Sequence, residues 1–182
     1  MKIEPSSPSA CSRPLAPRGG NDRVYTPRPL AKRIIDHFRP TGYICDPCKG
    51  EGAFYDQITT HTHKVWREID LGSDFLTESL PWRFDWIITN PPWSQFRAFL
   101  QKSMEVADNV VFLALLNAWF MRARVADMRK AGFGIVEVLM VDTPPKPWPQ
   151  TGFQLAAVHA KRGHRGPTIF SDENAESRHG EH

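Results

Sequence analysis

Apolar residues along this chain fall into two kinds of grouping. Short, nearly continuous runs occur at Tyr43-Ile44-Cys45, Trp86-Ile87-Ile88, Asn109 to Leu116, Gly134 to Val141 and Phe153 to Ala160. Such runs predict strands of a sheet covered by helices on both faces. A shorter run, Val65 to Asp70, predicts another strand with an acidic end. Between these, apolar residues recur at helical spacing: Leu30, Ile34, Ile35 and Phe38; Phe96, Phe99, Leu100 and Met104; Met121, Val125 and Met128. Strands alternating with helices predict an α/β fold built on a mainly parallel sheet. A glycine-rich turn from Lys49 to Gly52 follows the first strand and predicts a further helix after Ala53-Phe54. Thr26 is placed to cap the first helix, with Pro27 at its first position.

Composition sets the limits of the domain. The 182 residues are 41% hydrophobic and 24% charged, which suits one globular domain. Residues 1–22 are rich in Pro, Ser, Arg and Gly without periodicity and predict a disordered arm. Its Arg13 and Arg18 read as solvated, with a phosphate backbone as the alternative partner. A catalytic domain is expected over 23–163 and a polar tail, with His179 and His182, over 164–182. No apolar run is long enough to span a membrane and no secretory signal opens the chain, so a cytoplasmic location is expected. The formal charge of +3 is compatible with a polyanionic partner without requiring one. The helix carrying Arg122, Arg124, Arg129 and Lys130 reads first as a solvated basic face and second as a nucleic-acid contact. Cys45-Asp46-Pro47-Cys48 has the spacing of a redox or zinc motif, but no second cysteine pair completes a metal site. His61 and His63 lie among threonines and read as exposed, so no metal is expected.

Candidate chemistry is concentrated in Asn90-Pro91-Pro92-Trp93, where the central apolar run stops. Two prolines forbid continuation of the strand and make the turn stiff. It should stand at the carboxyl edge of the sheet, where open α/β folds bind ligands. The exocyclic amine of a nucleobase is a poor nucleophile, because its lone pair is conjugated into the ring. Two acceptors aimed at its N–H bonds turn it toward the tetrahedral geometry needed to attack a methyl sulfonium. The Asn90 side-chain oxygen and the Pro91 carbonyl are suited to that role. Trp93 offers a flat face for the base. A rigid turn after a strand is the plainer alternative.

Other positions suit a cofactor. Asp46-Pro47 ends a strand, and its carboxylate can accept from the ammonium of an amino acid. Gly50 and Gly52 let the backbone approach a ligand closely. Glu68, roughly 20 residues on, suits ribose hydroxyls, with Ile69 packing on an adenine ring and Asp70 as a competitor for the same role. Asp74 can accept from an adenine amine with Phe75 beside the ring, or the pair is an ordinary loop with one buried aromatic. Trp148, in the proline-dense loop from Thr143 to Gly152, is either a second base wall opposite Trp93 or a residue packed over the sheet end.

Taken in order, Thr26-Pro27, Asp46-Pro47 with Gly50 and Gly52, Glu68-Ile69, Asp74-Phe75 and Asn90-Pro91-Pro92-Trp93 resemble the catalytic domain of N6-adenine DNA methyltransferases, small phage-borne members in particular. The resemblance runs from about Tyr25 to His159. It implies a Rossmann-like, seven-stranded methyltransferase sheet flanked by helices, with the last strand antiparallel. It implies S-adenosylmethionine as cofactor, held by Tyr25, Thr26, Asp46, Pro47, Gly50, Gly52, Glu68, Ile69, Asp74 and Phe75. Asn90, Pro91, Pro92 and Trp93 would then be catalytic, and Trp93 and Trp148 would bind substrate. DNA is the implied partner, with a specificity subunit or a homodimer compatible with the short chain. Trp93 replaces the more frequent Tyr or Phe of the family, which keeps the stacking face and removes a phenol. Methyltransferases acting on RNA adenine or protein glutamine share the Asn-Pro-Pro-aromatic motif and are the rival enzymes. A non-catalytic binding module is the rival of another class.

Overall fold

The computed structural model describes residues 24–59 and 63–173. The expected N-terminal arm with Cys11, Arg13 and Arg18, together with His61, His179 and His182, lies outside the described residues. Among the described residues the chain forms helix α1 (Arg28–Phe38), strands β1 (Tyr43–Asp46), β2 (His63–Trp66) and β3 (Phe84–Thr89), helix α2 (Phe96–Val106), strand β4 (Ala107–Leu115), helices α3 (Leu116–Phe120) and α4 (Arg122–Ala131), and strands β5 (Phe133–Val141), β6 (Leu155–Arg162) and β7 (Ile169–Asp172). The strands make one sheet in the order β2-β1-β3-β4-β6-β5-β7. Strand β6 runs antiparallel to β4 and β5, and the other pairings are parallel. This is the Rossmann-like seven-stranded sheet of the methyltransferase fold. The chain leaves β1 for β2 on one side and returns to β3 on the other, so the topological switch point lies between the carboxyl ends of β1 and β3.

Strand alternation divides the core in two. Cys45, Ile87, Val110, Phe112, Ala114 and Val158 face α2 and α4, where they meet Phe96, Phe99, Leu100 and Met128. Ile44, Ile88, Val111, Leu113 and Ala157 face α1, where Leu30, Ala31, Ile34 and Ile35 close over them. Burial of adjacent residues on opposite faces is what makes these strands read as continuous apolar runs. Trp86 is only half-buried, with its ring stacked on His159 at 4.8 Å between centroids. No helix among the described residues is long and apolar enough to cross a membrane.

Several local expectations are corrected. Only a 3-10 turn, Tyr55–Gln57, follows the glycine turn in place of a helix. Lys64 donates to the carbonyls of Tyr55 and Ile58 and ends that turn on the neighbouring strand. The strand expected over Val65–Asp70 is β2 and stops at Trp66, because Ile69–Leu71 coils into a 3-10 turn capped by Glu68. Phe153 lies outside β6 and is exposed. The basic helix is α4, which starts at Arg122, after Met121, and a short separate helix, α3, precedes it across the extended backbone of Met121.

The sheet also extends past the expected boundary at 163, so 164–182 is not wholly a tail. The strand expected to be last, over Phe153–Ala160, is the antiparallel β6, and β7 follows it, parallel to β5. Strand β7 buries little: Ile169 and Phe170 are 56% and 61% exposed. Polar contacts hold it instead. Ser171 donates to Glu137, and the Glu173 carboxylate accepts from Arg33 at 2.8 Å and from the Asp142 amide at 2.7 Å. Loss of a carboxylate that satisfies two donors should cost about 1–3 kcal/mol. Glu173→Ala is therefore expected to lower the unfolding free energy by that amount in urea titration. A change below about 0.5 kcal/mol would mean that β7 stands without this clamp.

Candidate functional site

Strands β1 and β3 end side by side, and each ends on a polar residue. Asp46 is fully buried at the end of β1. One of its oxygens, Oδ1, accepts from the Thr89 hydroxyl at 2.7 Å and from the Cys48 amide at 3.2 Å. Its other oxygen, Oδ2, is buried without a hydrogen-bond partner. Burial pushes the Asp46 carboxyl up to about 6, against the opposing pull of the Thr89 and Cys48 bonds and the weaker pull of the Tyr55 backbone amide, and the nearby Glu68 charge adds to the rise. Thr89, the last residue of β3, thus ties the two strand ends together immediately before Asn90.

Asn90 is fixed by its nitrogen. Nδ2 donates to the Val24 carbonyl at 3.1 Å and to the Thr26 hydroxyl at 3.2 Å. An amide nitrogen held by two acceptors leaves the amide oxygen facing elsewhere, and Oδ1 is buried with no partner. These contacts also explain why Thr26 is not the helix cap. Its side chain is buried against Asn90, Pro27 occupies the N-cap position without a side-chain bond, and the helix starts at Arg28.

Pro91 and Pro92 are buried, and Trp93 opens a 3-10 turn that leads into α2. Trp93 is partly exposed, and its ring meets Trp148 edge to face, 6.3 Å between centroids at 66°. Two parallel walls with a base between them would need a wider, aligned pair. Trp148 is 4% exposed and packs with Leu139, Val141 and Leu155 over the sheet end. In this arrangement it braces Trp93.

The glycine turn lies against the same strand ends. Gly50 and Gly52 both have positive φ, where a side chain is strained. A Cβ on Gly50 would come within 3.0 Å of the Tyr25 ring, which is itself half exposed. The Gly50 amide donates to Glu68 Oε2 at 2.7 Å, across 18 residues of sequence. Glu68 is therefore the acidic residue brought to the turn, while Asp70 is exposed beyond it. Ile69 is exposed beside Glu68. Asp74 Oδ1 accepts from the Leu76 amide at 3.0 Å, which fixes the loop. Phe75 is not a loop aromatic awaiting a ring: it is buried and stacked on Phe99.

Sequence reading missed the Thr89 link and the coupling of Thr26 to Asn90. A threonine ending a strand next to an aspartate strand end carries no pattern of its own. Cys45 is buried, with its thiol pKa pushed up by burial. No group of three metal-ligating side chains occurs among the described residues. Arg124 is not simply solvated, since its guanidinium lies over the Phe96 ring at 5.5 Å.

The arrangement thus presents two buried acceptors without donors, Asp46 Oδ2 and Asn90 Oδ1, at adjacent strand ends. A glycine turn packed against Tyr25 and Asp56 and a partly exposed tryptophan face flank them. Such acceptors suit ligands that bring N–H groups.

No family model and no curated protein sequence matches the chain. Solved structures do. A type I restriction-modification methyltransferase subunit from Streptococcus thermophilus superposes with a TM-score of 0.59 at 18% identity, over 81% of this chain and 47% of that one. This chain thus spans about half the length of that subunit. A Pyrococcus horikoshii protein with a suggested RNA methyltransferase activity gives 0.53 at 16% identity, over 74% and 82% of the two chains. A Burkholderia thailandensis 1,6-didemethyltoxoflavin N1-methyltransferase with bound S-adenosylhomocysteine gives 0.53 at 13% identity, over 75% and 78%. What these three share with this chain is its architecture: the chain has the Rossmann-like fold of methyltransferases.

Proposed function

We propose that the chain is an S-adenosylmethionine-dependent methyltransferase acting on the N6 amine of adenine in DNA. The buried, donor-less Oδ1 of Asn90, in an Asn-Pro-Pro-Trp turn beside the equally donor-less Oδ2 of Asp46, carries this reading. The fold neighbours support the cofactor, since one holds S-adenosylhomocysteine. The restriction-modification subunit among them supports DNA as the substrate. A specificity subunit or a second copy supplying target recognition belongs to the same proposal.

The residues present fit that cofactor. Asp46 Oδ2 would accept from its ammonium group, and Glu68 from its ribose hydroxyls. Gly50 and Gly52 give the turn its positive-φ backbone, and the Tyr25 ring and the Asp56 carboxylate occupy the space beside them. Asp74 and Ile69 would take its adenine, while Phe75 stays in the core against Phe99. When bound, S-adenosylmethionine supplies an electrophilic methyl group on a sulfonium. The protein's own work falls on the other reactant. An adenine turned out of its stack costs a few kcal/mol, and Trp93, braced by Trp148, offsets part of it by stacking. Asn90 Oδ1 and the Pro91 carbonyl accept from N6, and these bonds strengthen as positive charge develops on nitrogen. Thr26 and the Val24 carbonyl hold the Asn90 amide in place throughout. The proton leaves N6 after transfer, so no strong base is needed.

The Pyrococcus neighbour favours RNA as the substrate in a second reading. Labelled methyl transfer to unmethylated DNA, RNA and total protein in parallel, followed by digestion to nucleosides, separates these readings. Labelled N6-methyladenosine in the deoxy form is expected from DNA. Label confined to RNA or protein would overturn the substrate. No label anywhere, with cofactor bound, would favour a missing specificity partner or the binding-module reading.

A further inference from the structure

The loop that carries Trp148 also builds a second groove at the carboxyl edge of the sheet. It is lined by Asp142, Thr143, Gln150, Thr151, Phe153 and Gln154 and measures about 570 Å³. That is room for a nucleobase with its sugar. The groove is not used by the mechanism above, yet the loop around it touches Trp93 through Trp148.

Its hydrogen-bonding character is set by two glutamines. Gln150 Nε2 donates to the carbonyls of Pro144 and Trp148, both at 2.9 Å. Gln154 Nε2 donates to the carbonyls of Val141 and Leu155, again at 2.9 Å. A carbonyl cannot donate, so each amide is locked with its nitrogen inward and both hydrogens committed. What each glutamine offers a ligand is its oxygen. Asp142 and Thr143 also line the groove, and the Thr151 hydroxyl accepts from the Phe153 amide at 3.3 Å. Phe153 is 55% exposed on this lining although it is flanked by polar residues. A groove with two fixed amide acceptors and one open aromatic face favours a flat ring bearing an amino group.

We infer that this groove takes an unpaired nucleotide next to the target adenine and prefers one whose base carries an exocyclic amine. The inference rests on the proposed function. Phe153 stacks on the neighbouring base, and the Gln150 and Gln154 oxygens accept from its amine. A paired base stacked in a duplex could not reach Phe153, so the substrate strand is single or locally opened.

The test uses single-stranded oligonucleotides with one central adenine. The flanking cytosines are exchanged for uracil, and flanking guanines for hypoxanthine, which lacks the amine. Each strand is measured for methyl transfer and, separately, for binding in the presence of S-adenosylhomocysteine. Loss of the amine is expected to lower kcat/KM and strand affinity by about 10-fold, the usual discrimination for one well-placed base contact. Phe153→Ala should weaken all strands by about 10-fold, and Gln150→Leu with Gln154→Leu should level the preference. Affinity for S-adenosylhomocysteine reports that each variant is folded. Strands bound and methylated equally whatever their flanks would overturn the groove and leave the methyltransferase reading intact. Preference in binding without any methylation would overturn that reading and leave the groove. A preference that survives the double glutamine variant would also overturn the groove.

Discussion

Asn90→Ala is expected to lower methyl transfer at saturating cofactor by at least about 100-fold, the effect of removing one preorganised polar group at a reacting centre. Cofactor affinity should change little, because the cofactor contacts expected at Asp46 and Glu68 are untouched. The reason lies in the two ends of one side chain. Nδ2 spends both hydrogens on Val24 and Thr26, and Oδ1 is left buried without a donor. A buried acceptor with no donor costs folding free energy. An asparagine kept in that state has a use for its oxygen outside the resting fold. Alanine also removes the two Nδ2 bonds, so a loss of about 1–2 kcal/mol in stability is expected alongside. Asn90→Asp separates the two effects. It keeps an acceptor at Oδ1 but sets a carboxylate oxygen against the Val24 carbonyl 3.1 Å from the original nitrogen. Repulsion there should turn the group away, so this variant should also transfer poorly while binding cofactor. Methyl transfer by Asn90→Ala at the wild-type rate would remove Asn90 from the chemistry altogether.

The sequence was legible where one physical demand dominates. Strands β3 and β4 announce themselves because both faces are covered, and Ile87 and Ile88 or Val110 and Val111 go to opposite cores. The Asn90 turn is legible because two prolines admit few backbones. Legibility fails where long-range polar contacts decide. Strand β7 has no apolar face to betray it, and its place depends on Arg33, Glu137 and the Asp142 amide, each more than 30 residues away in sequence. Thr26 has the local chemistry of a helix cap, but Asn90, 64 residues on, claims its hydroxyl. Spacing favours Glu68 with Asp70 as competitor, and only the three-dimensional structure shows that Glu68 is the one that meets the Gly50 amide. Trp148 was ambiguous for a related reason. A tryptophan among four prolines is held rigid either way, and only the packing of Leu139, Val141 and Leu155 beneath it shows which side is buried.

Asp46→Asn should move cofactor affinity and stability in opposite directions. Asp46 is fully buried and its carboxyl is pushed up to about 6 from an ordinary value of 3.8. A carboxyl with a raised folded-state pKa binds more protons when folded than when unfolded, so stability falls as pH rises through the window from about 4 to 6. Above that window the protein carries an ionised Asp46 at a cost of up to about 3 kcal/mol. Asparagine removes the charge and keeps an oxygen for Thr89 and the Cys48 amide. The variant should therefore unfold at higher urea than the wild type at pH 8, by about 1–3 kcal/mol, with the gap closing toward pH 4. Its amide nitrogen takes the place of the donor-less Oδ2, where the proposed ligand is an ammonium. Donor would face donor, and affinity for S-adenosylmethionine should fall at least about 100-fold. Wild-type affinity should itself weaken below about pH 6, as the carboxylate takes up its proton. A stabilised variant that still binds cofactor normally would show that Asp46 does not hold the ammonium. Lower stability at pH 8 would instead show that the ionised carboxylate is satisfied in the resting fold, and the strain assigned to its unpartnered oxygen would be wrong.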